Sequence, residues 1–138
     1  MKMTFRWYGS QMDPIPLRYI RQIPNMSGVV TSLMDMPAGA LWPTERIQAM
    51  KEEVNAAGLE MEVIESVNVH EDIKLGLPTR DEYIDNYRET VRRLGRAGVK
   101  VIEGMLEEAL HLRAVKIHGH DAVRARQLYA LRAHPAAY

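Results

Sequence analysis

Apolar positions along this chain fall into short runs separated by stripes of helical period. "GVVTSL", residues 28–33, is short and β-branched and follows the turn-forming "IPNMS", which predicts a strand. "DMPAGALWP" then reads as a loop with two prolines and a glycine. In "TERIQAMKEEVNAAG" the residues Ile47, Met50 and Val54 recur on one helical face, and Gly58 stands where a helix-ending glycine belongs. "LEMEVIESV", residues 59–67, alternates before turning apolar and predicts a second strand. Thr79 followed by Glu82 has the spacing of a capping box. It opens a second helix with the stripe Tyr83, Tyr87, Val91 and Leu94, closed by Gly98. "VKVIEG", residues 99–104, predicts a third strand.

The junctions "AAGLEMEVIES" and "RAGVKVIEG" repeat each other. Each has a small residue, a capping glycine and a strand ending in Val-Ile-Glu, and the glycines lie 40 residues apart. Strand, helix, strand, helix, strand is the order of successive βα units, whose crossovers make the strands parallel. The expected class is α/β, with about three parallel strands in residues 1–102. Residues 103–138 differ: they hold four of the five histidines, are rich in Ala, Arg and Leu, and show no further strand. Helices around 104–116 and 121–132 are expected there, the latter capped by Asp121.

Composition narrows the picture. The chain has 138 residues, a one-domain length, with 46% hydrophobic and 26% charged side chains. Eighteen basic and eighteen acidic residues cancel, which removes any global electrostatic case for nucleic acid or an anionic membrane. The basic tail residues Arg113, Lys116, Arg124, Arg126 and Arg132 sit in no recognised nucleic-acid motif. No apolar run approaches the ~20 residues of a membrane span, and "MKMTFRWYGSQMDP" lacks a signal-peptide apolar region, so a cytoplasmic protein is expected. The chain has no cysteine, which excludes disulfides, thiolate ligands and cysteine nucleophiles.

In a parallel α/β sheet, ligands meet the C-terminal strand ends. Glu65 and Ser66 fall at such an end, and His70, Glu71, Asp72 and Lys74 follow in the expected loop. Histidine can move protons near neutrality, and lysine can hold a sugar acid's carboxylate. On composition alone, a solvated polar loop is the commoner meaning of such a stretch. "FRWYG", residues 5–9, offers Arg6, Trp7 and Tyr8: an arginine with aromatics suits a carboxylated polyol, while core plugging is the plainer role of the two rings. Trp42 beside Pro43 reads as packing. His111, His118 and His120 contain a His-x-His pair but lack a partner at metal-site spacing. Glycine-rich phosphate loops and nucleophile elbows are absent.

"MTFRWYG", "IRQIPNMSGVVTSL" and "LEMEVIESVNVHEDIKLGLPTRDEYIDNYRETVRRLGRAGVKV" closely resemble the N-terminal part of mannonate dehydratase, over residues 1 to about 102. The resemblance implies a partial (β/α)₈ TIM barrel of the xylose-isomerase-like type. It also implies a hydro-lyase that dehydrates D-mannonate to 2-dehydro-3-deoxy-D-gluconate in hexuronate catabolism, with Fe²⁺ or Mn²⁺ as cofactor. On this reading His70, Glu65, Lys74, Arg6 and Trp7 are substrate-binding residues, and no catalytic residue is assigned. The family's metal ligands come from later strands and include a cysteine; none has a counterpart here, so no metal ligand is assigned. A complete barrel takes ~250 residues. The expectation is therefore a truncated form without the metal centre or, alternatively, a non-catalytic remnant or sugar-acid binding protein. The open sheet edge also makes self-association an expectation.

Overall fold

The computed structural model describes residues 2–103. The expected features of residues 104–138, namely the two tail helices, the tail histidines and the basic group, lie outside the described residues.

Four strands form one sheet in the order β1-β2-β3-β4, with every neighbouring pair parallel: β1 (Met3–Arg6), β2 (Met26–Thr31), β3 (Glu60–Ile64) and β4 (Val101–Ile102). The three expected strands are present, and one more precedes them. Residues 3–6, where the sequence pattern predicts no strand, form strand β1. Between strands run α1 (Leu17–Ile20), α2 (Thr44–Ala56), α3 (Glu71–Leu75) and α4 (Arg80–Arg96). This is α/β architecture, an arc of the parallel sheet that a TIM-type barrel closes into a ring.

Strand register sorts the side chains. Phe5, Val29 and Met61 share one cross-strand row, and Thr31, Ile64 and Ile102 share another on the same face. Val29, Thr31 and Ile64 are fully buried there. The face is covered by the stripe Ile47, Met50 and Val54 of α2 and by Leu94 of α4, which join it in one apolar core. The Thr31 hydroxyl, donating to Met50 Sδ at 3.7 Å, ties the sheet to α2. The opposite face carries the row Arg6, Val30, Val63 and Val101, partly or fully exposed. In a closed barrel that row would point inward.

Gly58 and Gly98 follow α2 and α4 with φ of +73° and +88°, the left-handed geometry that lets a helix end turn into the next strand. The chain's repeat is thus a repeat of physical devices: apolar stripe, left-handed glycine, strand.

Candidate functional site

The connections leaving β1, β2 and β3 gather at the C-terminal end of the sheet, and two polar groups form there. The first joins β1 to β3. Arg6, the last residue of β1, donates Nε–H to Glu65 Oε2 at 2.6 Å, and its Nη2 meets the other carboxylate oxygen. The contact is two-pronged, the geometry for which a guanidinium is built. The Tyr8 hydroxyl donates to the same Glu65 oxygen at 2.6 Å, and the Arg6 guanidinium lies 5.0 Å from the Tyr8 ring centre. Tyr8 is itself fixed, because Asp13 accepts its backbone N–H at 2.7 Å. Glu65 is largely buried whereas the Arg6 side chain remains 61% exposed. Glu65 is therefore an anchor already saturated with donors, and Arg6 is the group with reach to spare.

The second group surrounds His70. The expected loop over residues 70–74 is instead the start of the short helix α3, and His70 is its N-cap. Its Nδ1 accepts the backbone N–H of Asp72 at 3.1 Å. The imidazole stacks on Tyr83 of α4 with ring centres 3.7 Å apart and planes 14° from parallel. Thr79 donates its hydroxyl to Asp72, which fastens the α3–α4 turn. Gly39, from the loop after β2, closes over the stack with φ +79°. A Cβ added there would lie 2.5 Å from Tyr83 Cδ1 and 2.8 Å from His70 Cβ, so only glycine fits. The loop is pinned by Gly39 N–H donating to the Asn68 carbonyl at 3.3 Å and by Asn86 donating to the Gly39 carbonyl at 3.1 Å.

Of the five residues expected to face substrate, the structure brings Arg6 and Glu65 into direct contact. His70 belongs to the neighbouring group, and no hydrogen bond or ion pair joins the two. Lys74 turns to Glu71 at 2.7 Å, with only 9% of its side chain exposed, so its charge is engaged within α3. Trp7 departs from the expectation: it is 1% exposed and part of the apolar core. Alternation along β1 explains this, since Arg6 points to the open face and Trp7 to the helices. Its indole N–H has no partner among the described residues.

Sequence reasoning did not single out Tyr83 as the partner of His70, nor Gly39 or Asn86 at all. Tyr83 stands in the sequence as part of an apolar helical stripe and of the stretch that carries the family resemblance, and neither marks the histidine it meets. Among the described residues, no three His, Asp or Glu side chains lie together in a way that could hold a metal ion. Among the described residues, the Fe²⁺ or Mn²⁺ implied by the resemblance therefore has no fitting ligand set. No helix of the described residues is long and apolar enough to cross a membrane.

Comparison with known proteins follows the same boundary. The D-mannonate dehydratase family model matches residues 1–104. The mannonate dehydratases of Thermotoga petrophila and Lactococcus lactis subsp. lactis are 63% and 60% identical to the chain, each over 102 residues. Each match covers 74% of this chain and 28% of the relative. The crystal structure of mannonate dehydratase from Streptococcus suis serotype 2 superposes with a TM-score of 0.72 at 51% identity, covering 75% of this chain and 30% of that one. The chain thus spans 28% of the length of the curated relatives it matches.

Proposed function

From the premise that this chain belongs to the mannonate dehydratase family, we propose that its strand-end groups form the sugar-acid side of a D-mannonate hydro-lyase site. The observation that carries the proposal is the Arg6–Glu65–Tyr8 constellation at the C-terminal strand ends, on the open face of a parallel sheet.

The reaction dictates what such a site must supply. Dehydration breaks the C–H bond beside the carboxylate and the C–O bond one carbon on. It forms an enol and water, and the enol then tautomerises to the 2-keto acid. The carboxylate must be held and its charge offset so that the neighbouring proton can be lost, and the departing hydroxyl must be met by a donor. Arg6, fixed at one side by Glu65, presents its remaining N–H groups to an incoming carboxylate, and His70 adds a second polar contact beside it. Lys74, paired with Glu71, contributes through the α3 turn that holds His70. A divalent metal would supply the acidification of the C–H bond. The described residues offer no set of side chains that fits one. The reading therefore assigns substrate contact, and not the bond-breaking step, to residues 2–103. A cytoplasmic role in hexuronate catabolism is part of the same proposal.

Titration calorimetry of the full chain with D-mannonate tests it. Saturable binding that weakens tenfold or more in Arg6→Ala, about 1.4 kcal/mol, is expected, and an absence of binding overturns the proposal. Added Mn²⁺ or Fe²⁺ is expected to yield no 2-dehydro-3-deoxygluconate; product formation would overturn the restriction to substrate contact.

A further inference from the structure

We propose that His70 is held in a single neutral tautomer, with its proton on Nε2, and that Tyr83 and Gly39 are positioning residues that keep this N–H donor fixed. The cap of α3 decides where the proton sits. A ring nitrogen that accepts a backbone N–H uses its lone pair and carries no proton, and Nδ1 does so with the amide of Asp72 at 3.1 Å. A neutral imidazole then has its one proton on Nε2. Nε2 meets no partner among the described residues, while the ring as a whole is only partly exposed. His70 is thus a rigid donor whose acceptor must come from elsewhere.

One contact argues the other way. Asp72 Oδ1 lies 3.5 Å from Nδ1, which would suit a proton on Nδ1 shared with the carboxylate. The amide is the closer claimant, and the other Asp72 oxygen already accepts the Thr79 hydroxyl. Reversing the tautomer would set two hydrogens against each other at the helix cap.

The rest of the group prevents the ring from turning away. The Tyr83 ring covers one face of the imidazole nearly in parallel. Gly39 lies so near both residues that no side chain fits there, in a backbone shape that other residues rarely adopt, and its loop is locked by Asn68 and Asn86. The loop after β2 and helix α4 thus both close on the imidazole carried by the segment after β3. Such convergence fixes a donor far more closely than a solvated loop needs.

A donor at Nε2 selects for an oxygen acceptor, such as a carboxylate or hydroxyl oxygen. It is not arranged as a base, since the nitrogen that could take a proton is occupied by the cap. Identifying that acceptor with a sugar-acid oxygen rests on the function proposed above; the tautomer does not.

Nitrogen-15 NMR of the imidazole side chains in the full chain at neutral pH, without ligand, tests the proposal. A bare Nδ1 and a protonated Nε2 at His70 are expected, unchanged in Tyr83→Phe, which keeps the stack. Tyr83→Leu and Gly39→Ala are expected to give averaged signals from both tautomers. A proton on Nδ1 in the unsubstituted chain overturns the proposal, and an unaltered tautomer in a folded Tyr83→Leu variant overturns the positioning role. With D-mannonate, His70→Gln, which keeps a donor at the Nε2 position, is expected to bind within about threefold of the unsubstituted chain, and His70→Ala about tenfold more weakly. Equal loss in both variants overturns the donor role. A correctly fixed tautomer in a chain that takes no mannonate would instead count against the sugar-acid reading alone.

Discussion

Thr90 shows how single residues hold the strand-end loops in place. It is fully buried on α4, and its hydroxyl oxygen accepts the backbone N–H of Trp42 at 3.2 Å. Arg93, one turn on, donates to the Trp42 carbonyl at 2.9 Å, so both backbone groups of a buried tryptophan are satisfied by one helix. This anchors the end of the loop that carries Gly39. Thr90→Val keeps the shape but leaves a buried amide without an acceptor, a loss of about 1–3 kcal/mol. Denaturant titration is expected to show a lower midpoint with an unchanged slope; an unchanged midpoint would mean the hydroxyl is dispensable. Little of this was visible in the sequence, because a threonine in the middle of an amphipathic helix carries no mark of the amide it serves. Thr79 is a parallel case. Its capping-box spacing with Glu82 is genuine, yet its side chain makes no cap bond and donates to Asp72 instead. The tight α3–α4 turn brought a carboxylate closer than the helix amides.

At the scale of elements, the long βα units were legible because each of their devices is local: a stripe at helical spacing, a left-handed glycine, a β-branched run. Strand β1 was not, since four residues of mixed exposure show no alternation long enough to recognise. It exists because β2 pairs in parallel with all four of its residues, with one irregularity between Met3 and Thr4. Helix α3 is equally short and is capped by a histidine, an unusual cap. The strands are also joined electrostatically at the end of the sheet away from the site. Glu62 of β3, nearly buried, pairs with Lys2 beside β1 and with Lys100 beside β4, at 2.5 and 3.6 Å. The hydrogen bond from Lys2, helped by the charge of Lys100, holds the Glu62 carboxyl below its ordinary value of 4.5. A depressed carboxyl stabilises the fold above its ordinary range, and that contribution is lost as pH falls through the lower folded value. Thermal melts are therefore expected to show a stability loss below about pH 4.5 that is shallower in Glu62→Gln. Parallel curves for the two proteins would show that the cluster contributes nothing to the acid limb.

At the scale of the whole molecule, the described residues cover one face of the sheet and leave the other open. The inward row of a barrel, Arg6, Val30, Val63 and Val101, faces outward here among the described residues, and Val101 on the outermost strand is 52% exposed. Among the described residues, strands β1 and β4 each have a neighbour on one side only. Exposed apolar strands with free edges pair with other chains unless charge or a cover prevents it. The two ends of this face are charged, through Lys2, Glu62 and Lys100 at one and Arg6 and Glu65 at the other, but its middle row is valine. Association is therefore expected to start at β4, where an apolar side chain and an open edge coincide. Sedimentation velocity of the full chain should show a species that grows with concentration, and Val101→Lys, which places a charge on that edge, should shift the population toward monomer. A chain that stays monomeric across the concentration series and melts in one sharp, high-temperature step would refute the open-face argument, because such a molecule has no unsatisfied sheet to offer.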